Sequence, residues 1–521
     1  MSLYVLRPDG AQGEILEALS DAFVLDRGQE ERESFTFLDT FDWRLFNRGL
    51  TLTGARVGNR AILTLRGETG DPRELRLPGL PAFARELPPG PFRERVYPVT
   101  GIRRLLPRAR FRSLTRTAAV LNEDLKTVVR LRLTGGEAAF PDSKKFQPLP
   151  HTIEILPLKG YGDEARRVGN HLRKSFGLRP VRKRLLTLVM ESLGEPPGPD
   201  PSEPTIRLDP EMRASEGVLA VHRALLSVMK INEEGVIRDL DPEFLHDYRV
   251  AIRRARAALG QIQGVLTPAV VEHFGGELKW LGSRTGPSRD MDVHLIKIPR
   301  YQEALPEGVR DHLEPMVRFL ERKKKAEQRR LVRTLRTKRY RTFMEEWTRF
   351  LEEGEPDADL PAEAREPLAR VASARIWKLY RKVVKGGKEA GDDASPEALH
   401  RLRIQCKRLR YIITLFQSLY PESQLRPILK ALKGLQDNLG DFNDLHVQQL
   451  ALRQFADEML EIGAGPPETL MAMGRLMGQM ETQQEVERGA FAKRFQQFAE
   501  PRNLKRFEKL FNPVERGPSG E

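Results

Sequence analysis

Two stretches decide how this chain is read: DPEFLHDYRVAIRRARAAL, Asp241 to Leu259, and SPEALHRLRIQCKRLRYII, Ser395 to Ile413. They align without a gap, so that His246 and His400 stand 154 residues apart. The same offset carries LKWLGSRTGPSRDMDV, from Leu278, onto LKGLQDNLGDFNDLHV, from Leu432, matching Lys279 with Lys433, Gly286 with Gly440 and Asp290 with Asp444. A constant offset over both segments marks an internal repeat. Each copy holds roughly four stretches at helical period, rich in Leu, Ala, Arg, Glu and Lys, which predicts two repeated four-helix bundles about a pseudo-twofold axis. The copies are expected at about 210–352 and about 362–512.

Outward from the repeat, the clearest break is GEPPGPDPSEPT, 194–205, whose prolines and glycines suit neither helix nor sheet. It reads as a linker between an all-α domain, 206–515, and an N-terminal domain, 1–193. In the latter, AILTLRG (61–67), TVVRLRL (127–133) and HTIEILPL (151–158) read as strands and ARRVGNHLRKSFGL (165–178) as a helix, predicting an α+β fold. The 521 residues are too many for one domain, and no long uncharged apolar run marks a membrane span. The first residues lack the apolar stretch and cleavage site of a signal peptide, and Cys406 is the only cysteine, so a reducing cytoplasmic location is expected. With 87 Lys and Arg against 73 Asp and Glu, the formal charge of +14 suggests a polyanionic partner without specifying it.

The repeated helix narrows the choice. At about 100° per residue, His246, Arg249, Arg253 and Arg256 fall within an arc of about 80°. The second copy repeats the arrangement as His400, Arg403, Lys407 and Arg410. Leu245, Ile252 and Leu259 form a neighbouring apolar arc, as do Leu399, Cys406 and Ile413. Each helix can therefore bury one side and present a row of cations beside it. Alone, such a row reads as a solvated face; its repetition at constant offset points to a ligand surface. Guanidinium forks donate paired hydrogen bonds to phosphate oxygens, and Lys adds a compact charge. Cys406, on the apolar arc, reads as a core thiol rather than a nucleophile. The cations of ERKKKAEQRRLVRTLRTKRYR, 321–341, point all round their helix and read as a solvated face.

The two motifs, LHDYRVAIRRARAAL followed by RDMDV and LHRLRIQCKRLRYIITLF followed by LGDFNDLHV, resemble the CHAD family over most of 210–510. That resemblance implies two helical bundles around a basic cavity that binds inorganic polyphosphate without catalysis, in some cases with association to polyphosphate granules. It makes His246, Arg249, Arg253, Arg254 and Arg256 ligand candidates, with His400, Arg403, Lys407, Arg408 and Arg410 as counterparts and Lys279 and Lys433 as additions on the following helix. Asp290 and Asp444 read as partners that orient arginines.

FTFLDTFDWRLFNRGLTL (35–52), with AILTLRG and HTIEILPL, resembles the CYTH domain over roughly residues 3–190. This resemblance implies an antiparallel β-barrel tunnel in which inward carboxylates hold a divalent metal and inward cations a triphosphate. The chain departs from that pattern. It begins SLYVLRP in place of an alternating Glu-x-Glu-x-Lys strand, and its first carboxylate is Asp9. Thr53 and Ala55 stand where an Arg-x-Arg strand belongs, and of a late Glu-x-Glu strand only Glu154 survives, with Leu156 in the second place. Arg66, Arg130, Arg132 and Lys183 keep some positive character. A degenerate tunnel without metal, cofactor or triphosphatase activity is expected.

Two other readings remain at this point. A metal-dependent triphosphatase in the N-terminal domain, fed by the helical one, requires the missing carboxylates. A nucleic-acid-binding surface requires aromatic residues among the cations, and the stripes contain only Tyr248, off the basic arc. The sequence contains no Walker-type loop, paired metal-binding cysteines or HExxH.

Overall fold

The computed structural model describes the chain except for residues 1, 6–11, 68–71, 179, 182, 204, 263, 392–393 and 513–521. Asp9 lies outside the described residues. The chain divides into two compact units, Met1–Pro201 and Ser202–Glu521.

Among its described residues, the first unit is built on nine antiparallel strands: β1 (Ser2–Val5), β2 (Val24–Asp39), β3 (Thr51–Val57), β4 (Arg60–Arg66), β5 (Arg73–Leu77), β6 (Leu106–Leu121), β7 (Thr127–Ala139), β8 (Gln147–Pro157) and β9 (Pro180–Val181). Five helices accompany them: α1 (Gln12–Ala22), α2 (Arg44–Asn47), α3 (Pro91–Thr100), α4 (Gly162–Phe176) and α5 (Leu185–Ser192). Alternation does what a pleated strand requires. On β7, Leu131 and Leu133 enter a core with Ile153, Ile155 and the α4 residues Val168 and Leu172, while Arg130 and Arg132 turn to the other face.

The strand order is β5-β4-β3-β2-β6-β7-β8-β1-β9, with no pairing between β5 and β9 among the described residues. This corrects the expected closed barrel: the sheet is open. Closure needs its two edges to meet in register, and short β5 and β9 end the ladder instead. The residues singled out as remnants of a tunnel take ordinary places. Arg132 lies beside Glu154 in register and 3.6 Å from Glu33, Lys183 pairs with Glu191 at 2.8 Å, and Arg66 is exposed at the end of β4. Asp39, in the LDT stretch, accepts from the amides of Thr40, Leu45 and Phe46 at 2.7, 3.0 and 2.9 Å and so organises the turn into α2. Burial pushes its carboxyl up to about 6, against those three hydrogen bonds.

The second unit is helical. Its first part contains α6 (Ala214–Ile237), α7 (Pro242–Gln261), α8 (Pro268–Ala304), α9 (Glu314–Leu335) and α10 (Lys338–Glu353). Its second part contains α11 (Leu368–Ala390), α12 (Pro396–Leu415), α13 (Glu422–Glu461), α14 (Pro467–Phe498) and α15 (Pro501–Phe511). No helix among the described residues is long and apolar enough to cross a membrane. The starts of α6, α7 and α8 each recur 154 residues later in α11, α12 and α13. The local cause is visible at α7 and α12, which begin with a proline after a capping residue. Asp241 accepts from the Glu243 amide at 2.9 Å and Ser395 from the Ala398 amide at 3.2 Å.

Two hydrogen bonds display the relation between the copies. The Ala214 amide donates to the Glu366 carbonyl at 2.9 Å, and the Leu368 amide donates to the Met212 carbonyl at 2.8 Å. Exchanging each residue for the one 154 positions away turns either bond into the other, so a local twofold axis passes between them, through the Arg213–Pro367 bridge. Gly217 makes room there, since a Cβ on it would come within 2.4 Å of the Leu368 side chain. The apolar arcs of the basic helices are buried, from Leu245, Ile252 and Leu259 to Leu399, Cys406 and Ile413. The cores are not private to each copy. Met291, Ile298, Tyr301 and Phe319 share one cluster with Leu452, Phe455, Met459 and Leu476. Where two separate four-helix bundles are expected from the repeat, α8 and α9 thus pack into the second copy.

Candidate functional site

Helices α7 and α12 pack directly against each other, which brings the two cationic stripes together. Equivalent residues of the two copies feel each other's charge there. Burial pushes the Lys407 amine down to about 8, helped by the positive charges of Arg403 on its own helix and Arg253 on the other copy, and opposed by Asp444. Arg253 is the residue 154 positions before Lys407.

Each stripe has an inner part fastened to the following helix. In the first copy, Arg289 of α8 donates to Nδ1 of His246 at 3.0 Å and to the Pro242 carbonyl at 3.0 Å. In the second, Nδ1 of His400 donates to Oδ1 of Asn443 at 2.7 Å. Arg289 and Asn443 are themselves equivalent positions, so both copies steer the ring through the same place. Arg249 donates to the Gly282 carbonyl at 2.9 Å and to Thr285 Oγ1 at 2.8 Å. Burial lowers its pKa, Asp290 raises it, and Arg253 and Arg289 lower it further. Arg403 donates to Asp444 Oδ1 at 3.0 Å while remaining mostly covered.

The outer part is freer. Among the described residues, Arg253, Arg256, Lys407 and Arg408 have no ion-pair partner, and Arg253, Arg256 and Arg408 are exposed. Arg254 is half-buried, with a buried Nε that has no hydrogen-bond partner. Arg410 reaches Gln436 at 3.3 Å. Lys279 is exposed on α8, and Lys433 pairs with Asp437 one turn on. Cys406 is enclosed in the core and its thiol is pushed up to about 12 by burial. On α9, Lys323 pairs with Glu458, Arg330 with Glu327, and Lys324 with Asp292 at 2.7 Å and Asp239 at 3.2 Å, so part of that charge is internally neutralised.

Three participants were not singled out from the sequence. Arg289 and Asn443 immediately precede the motif aspartates, and comparing their distance from each histidine, 43 residues in both copies, identifies them. Lys297 of α8 comes close to Asp444 and Asp441 of the second copy. Burial lowers its pKa, and those carboxylates oppose the shift. Its equivalent is Ala451, so the repeat gives no hint of it. Among the described residues, no group of three or more His, Cys, Asp or Glu side chains is arranged to hold a metal ion.

The chain is similar to several known proteins. Two curated proteins of Mycobacterium tuberculosis, both described as uncharacterized, are each 28% identical to it over 276 residues, covering 50% of this chain and 48% of theirs. The chain thus spans about half the length of the curated relatives it matches. Among solved structures, the CHAD domain from the plant Ricinus communis is 27% identical with a TM-score of 0.47, over 56% of this chain and 95% of that one. PptA from Streptomyces chartreusis is 16% identical with a TM-score of 0.42, over 55% and 100% of the two chains. Residues 220–453 match the family model of the CHAD domain, and the helical unit therefore contains a CHAD domain.

Proposed function

We propose that the helical unit binds inorganic polyphosphate along the paired stripes of α7 and α12, without catalysing a reaction. The observation that supports this most directly is the packing of α7 on α12, which brings Arg253 within electrostatic reach of Lys407, two cations from different copies with no ion-pair partner of their own among the described residues. Holding like charges together costs free energy, and an anion laid across them removes that cost. The fastened cations, Arg249 and Arg403, are already oriented, so less side-chain freedom is lost when phosphate oxygens arrive. His246 and His400, together with Arg254, Arg256, Arg408, Arg410, Lys279 and Lys433, extend the contact, and many modest contacts sum to a salt-sensitive affinity. In the cell this reading places the protein in the cytoplasm, in contact with polyphosphate granules.

A nucleic acid fits less well. Tyr248 is fully buried with its hydroxyl 2.9 Å from that of Tyr340, and so offers no face for a base to stack on. For the first unit we read a CYTH-like sheet that has lost its metal-binding carboxylates and acts as a non-catalytic companion. The deciding experiment is titration of the full chain with long-chain polyphosphate, with single- and double-stranded DNA as competitors over a salt series. Polyphosphate binding that DNA displaces poorly supports the reading; equal or tighter binding of DNA overturns it.

A further inference from the structure

We propose that the first unit carries a ligand site of its own, an open cleft between α4 and strands β8, β1 and β9 that takes a small carboxylate with a flat apolar body. It is formed wholly within that unit and goes beyond polyphosphate binding. It also lies on the opposite face of the sheet from Arg130, Arg132 and Glu154. Tyr4 pairs in register with Ile153 and shares the core of Ile155, Val168 and Leu172, whereas Glu154, between the two isoleucines, turns the other way.

The cleft has a volume of about 560 Å³, a size ordinary for small-molecule sites. Ile155, Pro157, Pro180 and the Tyr4 ring give it an apolar wall, and Arg166, Asn170 and Arg173 of α4 a polar rim. Gly169 stands at its centre. A Cβ there would come within 2.4 Å of the Tyr4 hydroxyl oxygen, so the glycine lets the phenol end against the helix backbone. Arg166 and Arg173 stand three and four residues from Gly169, on the same face of α4, and so flank the hydroxyl.

Tyr4 is only 5% exposed, yet among the described residues its hydroxyl has no hydrogen-bond partner. A hydroxyl left in that state costs free energy, which an acceptor in the cleft recovers. Arg173 supplies the charge. It donates to Asn170 Oδ1, a neutral partner, and has no ion-pair partner among the described residues. Arg166 pairs with Asp163 one turn away, an exposed contact of small worth. Two arginines against one aspartate leave the rim a single net positive charge, which matches a monoanion rather than a phosphate polymer. A planar carboxylate accepts two parallel hydrogen bonds from a guanidinium, and its apolar body then rests on Ile155 and the two prolines.

The test titrates the intact protein with 2-naphthoate, followed by saturation-transfer NMR, with the neutral 2-naphthylmethanol as control. A saturable affinity of about 1 mM or tighter is expected for a ligand of that size, with the alcohol roughly ten-fold weaker. Arg173→Gln, at an exposed position, should weaken naphthoate binding about ten-fold. Tyr4→Phe keeps the ring and should weaken it about two- to ten-fold, with the thermal midpoint unchanged or raised because the lost hydroxyl had no partner. No saturable binding, equal binding of the alcohol, or binding that neither substitution weakens overturns the proposal. Displacement of naphthoate by long-chain polyphosphate overturns it as well, and undiminished binding beside polyphosphate supports it.

Discussion

Arg253 and Lys407 are equivalent residues of two copies 154 positions apart, and the guanidinium of one helps hold the amine of the other near 8. Their proximity costs free energy in the empty protein, and an anion relieves it. Replacing both with Glu should therefore lower polyphosphate affinity by about 100-fold or more, equivalent to ~2.7 kcal/mol. Both residues lack ion-pair partners, so far-ultraviolet circular dichroism should be unchanged. Retained affinity with intact helicity would show that the site lies elsewhere.

Lys407 also sets a pH dependence. A bound polyanion favours the charged amine, so its pKa is higher in the complex than in the free protein. The contribution to affinity is fully present below about pH 8 and is lost as pH rises through the value in the complex. Dissociation constants measured from about pH 7 to about pH 9.5 should rise over the upper half of that range. Lys407→Arg, which stays charged, should flatten the curve; an unflattened curve would assign the titration to another group.

Asp444 is a carboxylate among cations, accepting from Arg403 at 3.0 Å and lying close to Lys407 and Lys297. Asp444→Asn keeps an acceptor for Arg403 but removes the negative charge. At low salt it should tighten polyphosphate binding by roughly two- to ten-fold, and move the pH midpoint of the free protein down because Asp444 raises the Lys407 pKa. Weaker binding would mean that the Arg403 orientation matters more than the charge.

The pair of Lys324 and Asp292 tests the scaffold. Asp292 is only 3% exposed and lies 2.7 Å from Lys324. Lys324→Ala leaves a buried carboxylate without its main partner and should cost about 3 kcal/mol in urea unfolding, whereas Lys323→Ala, at a more open pair, should cost about 1 kcal/mol or less. Similar losses at both positions would argue against a special role for burial.

The sheet unit makes a prediction of its own. Purified protein with Mg²⁺ or Mn²⁺ should release no phosphate from tripolyphosphate above the rate without protein. Metal-dependent release that survives repurification would return the triphosphatase reading to first place.

Much of the helical unit was legible in the sequence because its signals are local. A capping residue and a proline start α7 and α12, and a period of 3.6 separates Leu245, Ile252 and Leu259 from the cations beside them. The constant offset revealed the relation between the copies. Periodicity names a face but not its neighbour, so the pairing of His246 with Arg289, the approach of Lys297 to Asp444 and the core shared by Met291 and Leu452 were beyond it. In the sheet unit, alternation along β4 and β7 was readable, whereas closure depends on how distant edge strands meet, which no local pattern encodes.

The reciprocal hydrogen bonds from Ala214 to Glu366 and from Leu368 to Met212 bear on the direction in which a ligand can lie. A surface organised around such an axis looks nearly the same from either end. Single-stranded nucleic acids and polypeptides do not, because each runs from one kind of terminus to another and must choose an orientation. A linear polymer of phosphates has identical termini and no sense of travel, so either end can enter first and every internal unit can occupy the centre. Departures from symmetry such as Lys407 for Arg253, Asn443 for Arg289 and Ala451 for Lys297 are then the features by which the protein distinguishes left from right along such a strand.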